Sequence, residues 1–303
     1  MSAPVILLLA MMLDAAFGEP RWLWSRVPHP AVLMGRAVAL LDRKLNTKNG
    51  GIIAGGAALA ILIGGAWFIG WALAHLGGIA QIVIVAILLA QRSLVQHVAA
   101  VADGLRISLG DGRRAVAMIV SRDTAQMDQS AVARSAIESA AENLSDGVIA
   151  PIFWFLLGGL PGLIVYKAVN TADSMIGYRT PRYERFGKTT ARMDDVMNFV
   201  PARLTCLLIA LPAGVIGMLD EIRKDAAQHR SPNAGWPEAA MARAIGVALA
   251  GPRAYDGKMQ QFPWVGGAGA RTIGAGEIEA SIRKLWQAWG MMLGLTILLA
   301  SLG

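Results

Sequence analysis

The chain has 303 residues, of which 55% are hydrophobic and only 16% charged, and its mean hydropathy is +0.48. Soluble domains carry roughly a quarter charged residues, so this balance is that of a membrane protein. The net charge of +7 suits Lys- and Arg-rich cytoplasmic loops or an anionic substrate. No basic run is interleaved with aromatics, which argues against nucleic acid, and the single Cys206 excludes an intramolecular disulfide framework.

Apolar stretches fall near residues 3–17, 51–74, 79–90, 148–169, 200–219 and 286–302. The first carries no cleavable signal, because it lacks a basic n-region and Asp14 interrupts it. A full span takes about 20 residues, which Gly51–Ala74 satisfies and which 79–90 reaches by extending through Gln91. "HLGG" between them reads as the tight turn of a helical hairpin. The terminal stretches are short for spans; Trp286 and Trp289 offer interface anchors.

In "ARSAIESAAENLSDG", Arg134, Glu138, Glu142 and Asp146 follow at i, i+4 and form one helical ridge, with small and apolar residues on another side. This is either a solvated face with an Arg–Glu pair or a cation-holding patch at the mouth of the next segment. That segment, 148–169, is broken by Gly158, Gly159, Pro161 and Gly162. The segment 200–219 is broken by Pro212 and Gly214. Proline removes a donor and clashes with the preceding turn, so each segment should divide into halves of about ten residues, roughly 15 Å. Such halves form a kinked span or a re-entrant hairpin. The loops 18–50, 167–199 and 220–285 are all net basic, and re-entry keeps every long polar loop on one face, which favours it.

Beside the breaks lie two further polar clusters. In "YKAVNTADSMIGYR", Tyr166, Asn170, Asp173 and Gly177 share a helical face; in "ARMDDVMNFVPARL", Asp194 and Asn198 are i, i+4 and Asp195 is adjacent. Each alone is as easily a capping group as a ligand. Together, their hard oxygens suit Mg²⁺, which commonly also takes substrate phosphates. Arg203, inside apolar sequence, needs an anionic or carbonyl partner. "HRSPNAGWPEAAMA" reads as a turn into a helix, with Pro237 and Glu238 in the first turn. "VGGAGARTIGAGE" lacks the GK[ST] ending of a P-loop and reads as a connector. The expected fold is an all-α, polytopic membrane protein with broken or re-entrant helices and helical polar loops on one face, forming a single domain over 1–303.

"LDAAFGEP", "PHPAVLMGR", "SRDT", "ESAAENLSDGVIAP", "GGLPG", "VNTADSMIGYR", "ARMDDVMNFVPARL", "SPNAGWPEAAMA" and "GPRAYDG" occur in this order along nearly the whole chain. In them the sequence resembles the adenosylcobinamide-phosphate synthases, the CobD/CbiB family of integral membrane proteins of cobalamin biosynthesis. Glu19 departs from the family's usual "GDP", and the stretch after Trp264 from its usual "GDG".

The resemblance implies an ATP-dependent acid–amine ligase of the cell (inner) membrane. It would join adenosylcobyric acid to (R)-1-amino-2-propanol or its O-phosphate at a site facing the cytoplasm, with Mg²⁺. Other cobalamin-assembly proteins are implied partners beside the bilayer. On that reading Glu142, Asp146, Asp173, Lys167 and Arg203 are candidate catalytic groups. His29, Arg122, Asn143, Asn170, Arg179, Arg192, Asn233 and Trp236 are candidate substrate or ATP contacts, and Asp173, Asp194 and Asp195 candidate metal ligands. Competing readings are a transporter of corrinoids or amino alcohols, since broken helices mark transporters; a membrane prenyltransferase, against which the spacing of Asp-rich motifs speaks; and a non-catalytic scaffold.

Overall fold

The computed structural model describes residues 1–47, 51–255 and 258–302, so Asp256 and Gly257 of "GPRAYDG" lie outside the described residues. Helices run in the order α1 (Ala3–Phe17), α2 (Arg21–Trp24), α3 (Pro30–Leu45), α4 (Gly51–Ala74), α5 (Gly78–Leu88), α6 (Gln91–Ile107), α7 (Leu109–Val116) and α8 (Gln129–Leu144). A π-helical turn, Ser145–Ile149, leads to α9 (Ala150–Ile176), followed by α10 (Lys188–Ala210), α11 (Leu219–Ala226), α12 (Gly235–Ile245) and α13 (Ala275–Leu302). Four short strands, β1 (Leu249–Ala250), β2 (Arg253–Tyr255), β3 (Lys258–Gln260) and β4 (Trp264–Val265), pair antiparallel as β1 with β4 and β2 with β3. The all-α membrane architecture is therefore as expected. Among the described residues, four helical stretches are long and apolar enough to cross a membrane: Gly51–Ala74, Gly78–Ile107, Gln129–Ile176 and Ala275–Leu302.

By its internal packing the chain gathers into two compact units. One comprises Met1–Ala90, Ala150–Asn198 and Leu295–Gly303, the other Gln91–Ile149 and Phe199–Gly294.

In the first unit, α4 buries a stripe of mostly small residues, Gly55, Ala58, Leu62, Ala66 and Gly70. Small residues let helix backbones approach closely in lipid. A Cβ at Gly70 would lie 2.5 Å from the Cα of Pro161 on α9, so only glycine fits there. Within α9, Gly159 leaves helical geometry at φ 59°, ψ −154°. A Cβ at Gly162 would fall 2.6 Å from the carbonyl oxygen of Trp154, whereas eight residues of straight helix cover about 12 Å. The chain has turned back on itself, and 148–169 is a helical hairpin. The break at Gly159 divides 148–169 into halves of about ten residues, as expected, and the second limb continues as helix to Ile176.

Pro201 does not stop α10. Its missing N–H would have bonded the carbonyl of Met197, and the indole Nε1 of Trp154 donates to that oxygen instead at 3.1 Å. The helix ends at Ala210, and the segment expected as a second helical half is a turn closed by Gly214 (φ 70°) and a short 3₁₀ helix, Ile216–Met218. Two further boundaries differ from the sequence reading. Helix α13 begins at Ala275 rather than near 286, and an extended Leu89 separates α5 from α6.

In the second unit α8 is central, in contact with α6, α7, α12 and β1. The Asp128 carboxylate caps it, accepting the Ala131 N–H at 2.7 Å. Val132, Ala133, Ala136, Ile137, Ala140, Ala141 and Leu144 are fully buried. Helix α13 is tied to α6 by an Arg106–Glu279 ion pair of 2.6 Å.

Candidate functional site

Two polar constellations stand out, one in each unit. In the second unit the Arg134–Asp146 ridge is solvated only in part: Glu142 is exposed, whereas Glu138 is only 1% exposed. Arg122 Nη2 donates to its Oε2 at 2.8 Å, Arg253 approaches both oxygens at 3.3 and 3.4 Å, and the Ala250 N–H donates to Oε1 at 2.7 Å. Ala250 holds a positive φ of 58° to present that N–H, a conformation non-glycine residues adopt at a cost of about 1–3 kcal/mol. Arg134, expected as the partner of Glu138, lies over the Trp264 ring instead, 5.2 Å from its centroid.

Above this buried ion cluster opens a cavity of about 280 Å³, lined among others by Arg122, Glu142, Asn143, His229, Arg230, Glu238, Arg253 and Phe262. The predicted residues Arg122, Glu142 and Asn143 thus meet at one place. Asn143 is oriented by its Nδ2, which donates to the Ser139 carbonyl at 2.9 Å. The guanidinium groups of Arg230 and Arg253 lie 4.5 and 4.9 Å from the Phe262 centroid, a cation–π arrangement that holds them at the wall.

Glu238, in the first turn of α12, is 3% exposed. Its Oε1 lies 3.6 Å from His229 Nε2, and its Oε2 is buried without a hydrogen-bond partner among the described residues. His229 Nδ1 accepts the Ser231 N–H at 3.0 Å, which turns Nε2 towards the acid. Gly235 permits this approach: a Cβ there would lie 2.7 Å from the Cβ of His229. Burial, then the charges of Glu138 and Glu142, raise the Glu238 carboxyl well above the usual range, and burial lowers the His229 imidazole.

Arg203, Asn233 and Trp236 also come together. Arg203 Nη1 donates to Asn233 Oδ1 at 2.8 Å, Nη2 to the Pro232 carbonyl at 3.2 Å, and the guanidinium lies 4.9 Å from the Trp236 centroid. This is the partner the buried-sequence arginine required, and it fastens the "SPNAGW" turn to α10.

In the first unit Asp194 is the hub. Asn170 Nδ2 donates to its Oδ1 at 3.3 Å and Asn198 Nδ2 to its Oδ2 at 3.0 Å, while Tyr166 donates its hydroxyl to Asn198 Oδ1 at 2.9 Å. Burial, then Asp195, raise the Asp194 carboxyl above its ordinary value. Burial also raises Asp195, opposed by the charges of Arg192 and Arg179. Asp173 lies one turn along α9 from Asn170, packed against Gly177. Among the described residues no three His, Cys, Asp or Glu side chains gather as a metal cluster, so Asp173, Asp194 and Asp195 do not form a preassembled cage. His29 serves as the N-cap of α3, accepting the Ala31 N–H at 3.2 Å, with its ring edge-on to Trp24 and the charge of Lys167 within its field. Asp146 lies in the π-helical turn of the second unit.

The sequence reading missed His229, Arg230, Glu238, Arg253 and Phe262 as site residues. Glu238 carried the signal of a helix first-turn acid, and nothing in its local pattern tells a solvated dipole partner from a buried carboxyl facing a cavity.

Residues 7–285 match the model of a family described as CobD/Cbib protein. The chain is 44% identical to a protein of Brucella anthropi named Cobalamin biosynthesis protein CobD, covering 99% of this chain and 97% of that one. It is 46% identical to one of the same name from Rhizobium meliloti over 96% of each, and 44% identical to that of Rhodobacter capsulatus over 88% of each. No solved structure matches.

Proposed function

The chain belongs to the CobD/CbiB family of cobalamin biosynthesis, and on that premise we propose that it is an ATP-dependent amide ligase. It would condense a propionate carboxylate of adenosylcobyric acid with (R)-1-amino-2-propanol or its O-phosphate. A carboxylate is a poor electrophile, so the carboxylate oxygen would first attack the γ-phosphorus of ATP, releasing ADP and forming an acyl phosphate. The amine nitrogen would then attack the acyl carbon, expelling inorganic phosphate. The observation that carries the reading is the cavity of the second unit, where Arg122, Arg230 and Arg253 stand beside the acids Glu142 and Glu238. Guanidinium groups suit phosphate and carboxylate oxygens, and acids suit an ammonium group.

Mg²⁺ would neutralise the phosphate charge during transfer. It is usually held by one or two carboxylates plus phosphates and water, and the donors around Asp194 fit that demand. Asp194 and Asp195, with Asn170 beside them, are the groups that would hold it. Lys167, Arg179 and Arg192 are the cations of the same unit suited to the nucleotide. The site would face the cytoplasm of the inner membrane, where ATP is found.

Purified protein given ATP, Mg²⁺ and adenosylcobyric acid, with each amine offered separately, should yield a corrinoid heavier by the amine less one water, and ADP in equal amount. Absence of product with both amines would remove the ligase reading, and uptake of either organic molecule by vesicles without ATP consumption would replace it with transport.

A further inference from the structure

Two acids, Glu138 and Glu238, are buried beside the cavity, and they are not equivalent. Both oxygens of Glu138 are occupied by Arg122, Arg253 and the Ala250 N–H. With both oxygens occupied by the protein's own donors, Glu138 is committed to holding the ion cluster together. Among the described residues, Glu238 has no cation within ion-pair distance apart from the imidazole of His229, at 3.6 Å from Oε1. Its Oε2 is buried without a hydrogen-bond partner among the described residues, and Glu238 is one of the residues that line the cavity. A buried oxygen in that condition costs about 1–3 kcal/mol, which a ligand donor would recover.

The cavity, about 280 Å³, is at the small end of ligand sites, which run from roughly 300 to 1,000 Å³. It suits a three-carbon amine, and a corrin ring could present only a side chain to it.

We infer that this cavity is the amine subsite, and that Glu238 is the base that takes a proton from the substrate ammonium. The inference rests on the ligase reading above. An N–H proton of the ammonium passes to Glu238 Oε2. The freed nitrogen lone pair attacks the acyl-phosphate carbon, the carbon–oxygen bond to phosphate breaks, and the phosphate leaves with that electron pair. The second N–H proton leaves with the phosphate. His229, fixed by Ser231, positions Oε1 so that Oε2 faces the ligand. The primary ammonium is common to aminopropanol and its O-phosphate; in the latter, Arg122, Arg230 and Arg253 stand ready for the phosphate.

The groups facing Glu238 are Glu138 and Glu142 from α8, Arg122 before that helix, His229 and Arg230 after α11, and Arg253 from β2. Burial with two neighbouring acids keeps the carboxyl basic. That is the property a proton acceptor for an ammonium requires, since acid–base catalysis works best with a pKa near the working pH.

The test uses the full-length protein in detergent. Glu238→Gln should lower kcat/KM for the aminopropanol substrate on the order of a hundredfold or more and abolish the acid limb of its pH profile. Hydroxylamine, unprotonated at neutral pH, needs no base, and should still trap the acyl phosphate in this variant at a rate within tenfold of the unmodified protein. Glu238→Asp should recover part of the amine reaction. Full amine activity in Glu238→Gln, or equal losses with amine and hydroxylamine, would overturn the assignment. If the unmodified protein itself makes no amide, the ligase reading fails instead, so the two failures are distinguishable.

Discussion

At the scale of single residues, Glu138 and Glu238 show how the same side chain acquires opposite properties from its surroundings. Glu138 is compensated by two guanidinium groups, each itself mostly buried. Removing one member of a buried ion cluster leaves the others uncompensated and typically costs 3–5 kcal/mol. Glu138→Gln should therefore lower stability by roughly 3 kcal/mol, read as a large fall in melting temperature in detergent. Glu238 behaves in the opposite way. Its folded-state pKa is raised, so between the ordinary carboxylate value and the raised one the native state binds more protons than the unfolded chain. Its contribution to stability is present at low pH and lost as pH rises through that window. Glu238→Gln should flatten the decline in melting temperature as pH rises above the ordinary carboxylate range, a gain in stability accompanied by the loss of activity predicted above. A variant that melts in parallel with the parent as pH rises would mean that folding does not raise the Glu238 carboxyl.

At the scale of elements, the hairpin in α9 and the uninterrupted α10 are two consequences of proline and glycine chemistry. Gly159 can adopt φ 59°, ψ −154°, a region essentially closed to residues with a Cβ, and so the chain reverses there. Pro201 has the same disruptive potential, yet the helix passes through it because Trp154 donates to the carbonyl left vacant at Met197. Trp154→Phe keeps most of the ring and removes only that donor. It should cost about 1–3 kcal/mol, measured by chemical unfolding in mild detergent, whereas a change below a few tenths would show that another donor serves Met197. Sequence patterning placed Gly159 among the breakers of its segment and assigned the break in 200–219 to Pro212 and Gly214, not to Pro201. It had no access to the indole that serves the Met197 carbonyl, because Trp154 and Met197 are 43 residues apart.

At the scale of the whole molecule, α4 is the plainest membrane-crossing helix, with 24 residues covering about 36 Å against a hydrocarbon thickness of about 30 Å. Cysteines at Thr47 and Leu76, in a Cys206→Ala background, should label from opposite sides of sealed vesicles, with the Thr47 side cytoplasmic because loop 18–50 is net basic. Labelling of both from one side would remove α4 as a span.

Composition and hydropathy alone determined that this is a helical membrane protein, and the positions of the apolar stretches followed from them, because transfer free energy into lipid is a sum over local residues. The polar motifs brought Arg134, Glu138, Glu142 and Asp146 to attention as one ridge and Asp194 and Asn198 as another pair, since i, i+4 spacing is a local property. Which acid is neutralised by arginines and which is left with an open oxygen was decided only by tertiary structure. Arg253 lies 115 residues from Glu138, and the field at a buried carboxyl is set by the groups that folding brings to it, whatever their distance along the chain.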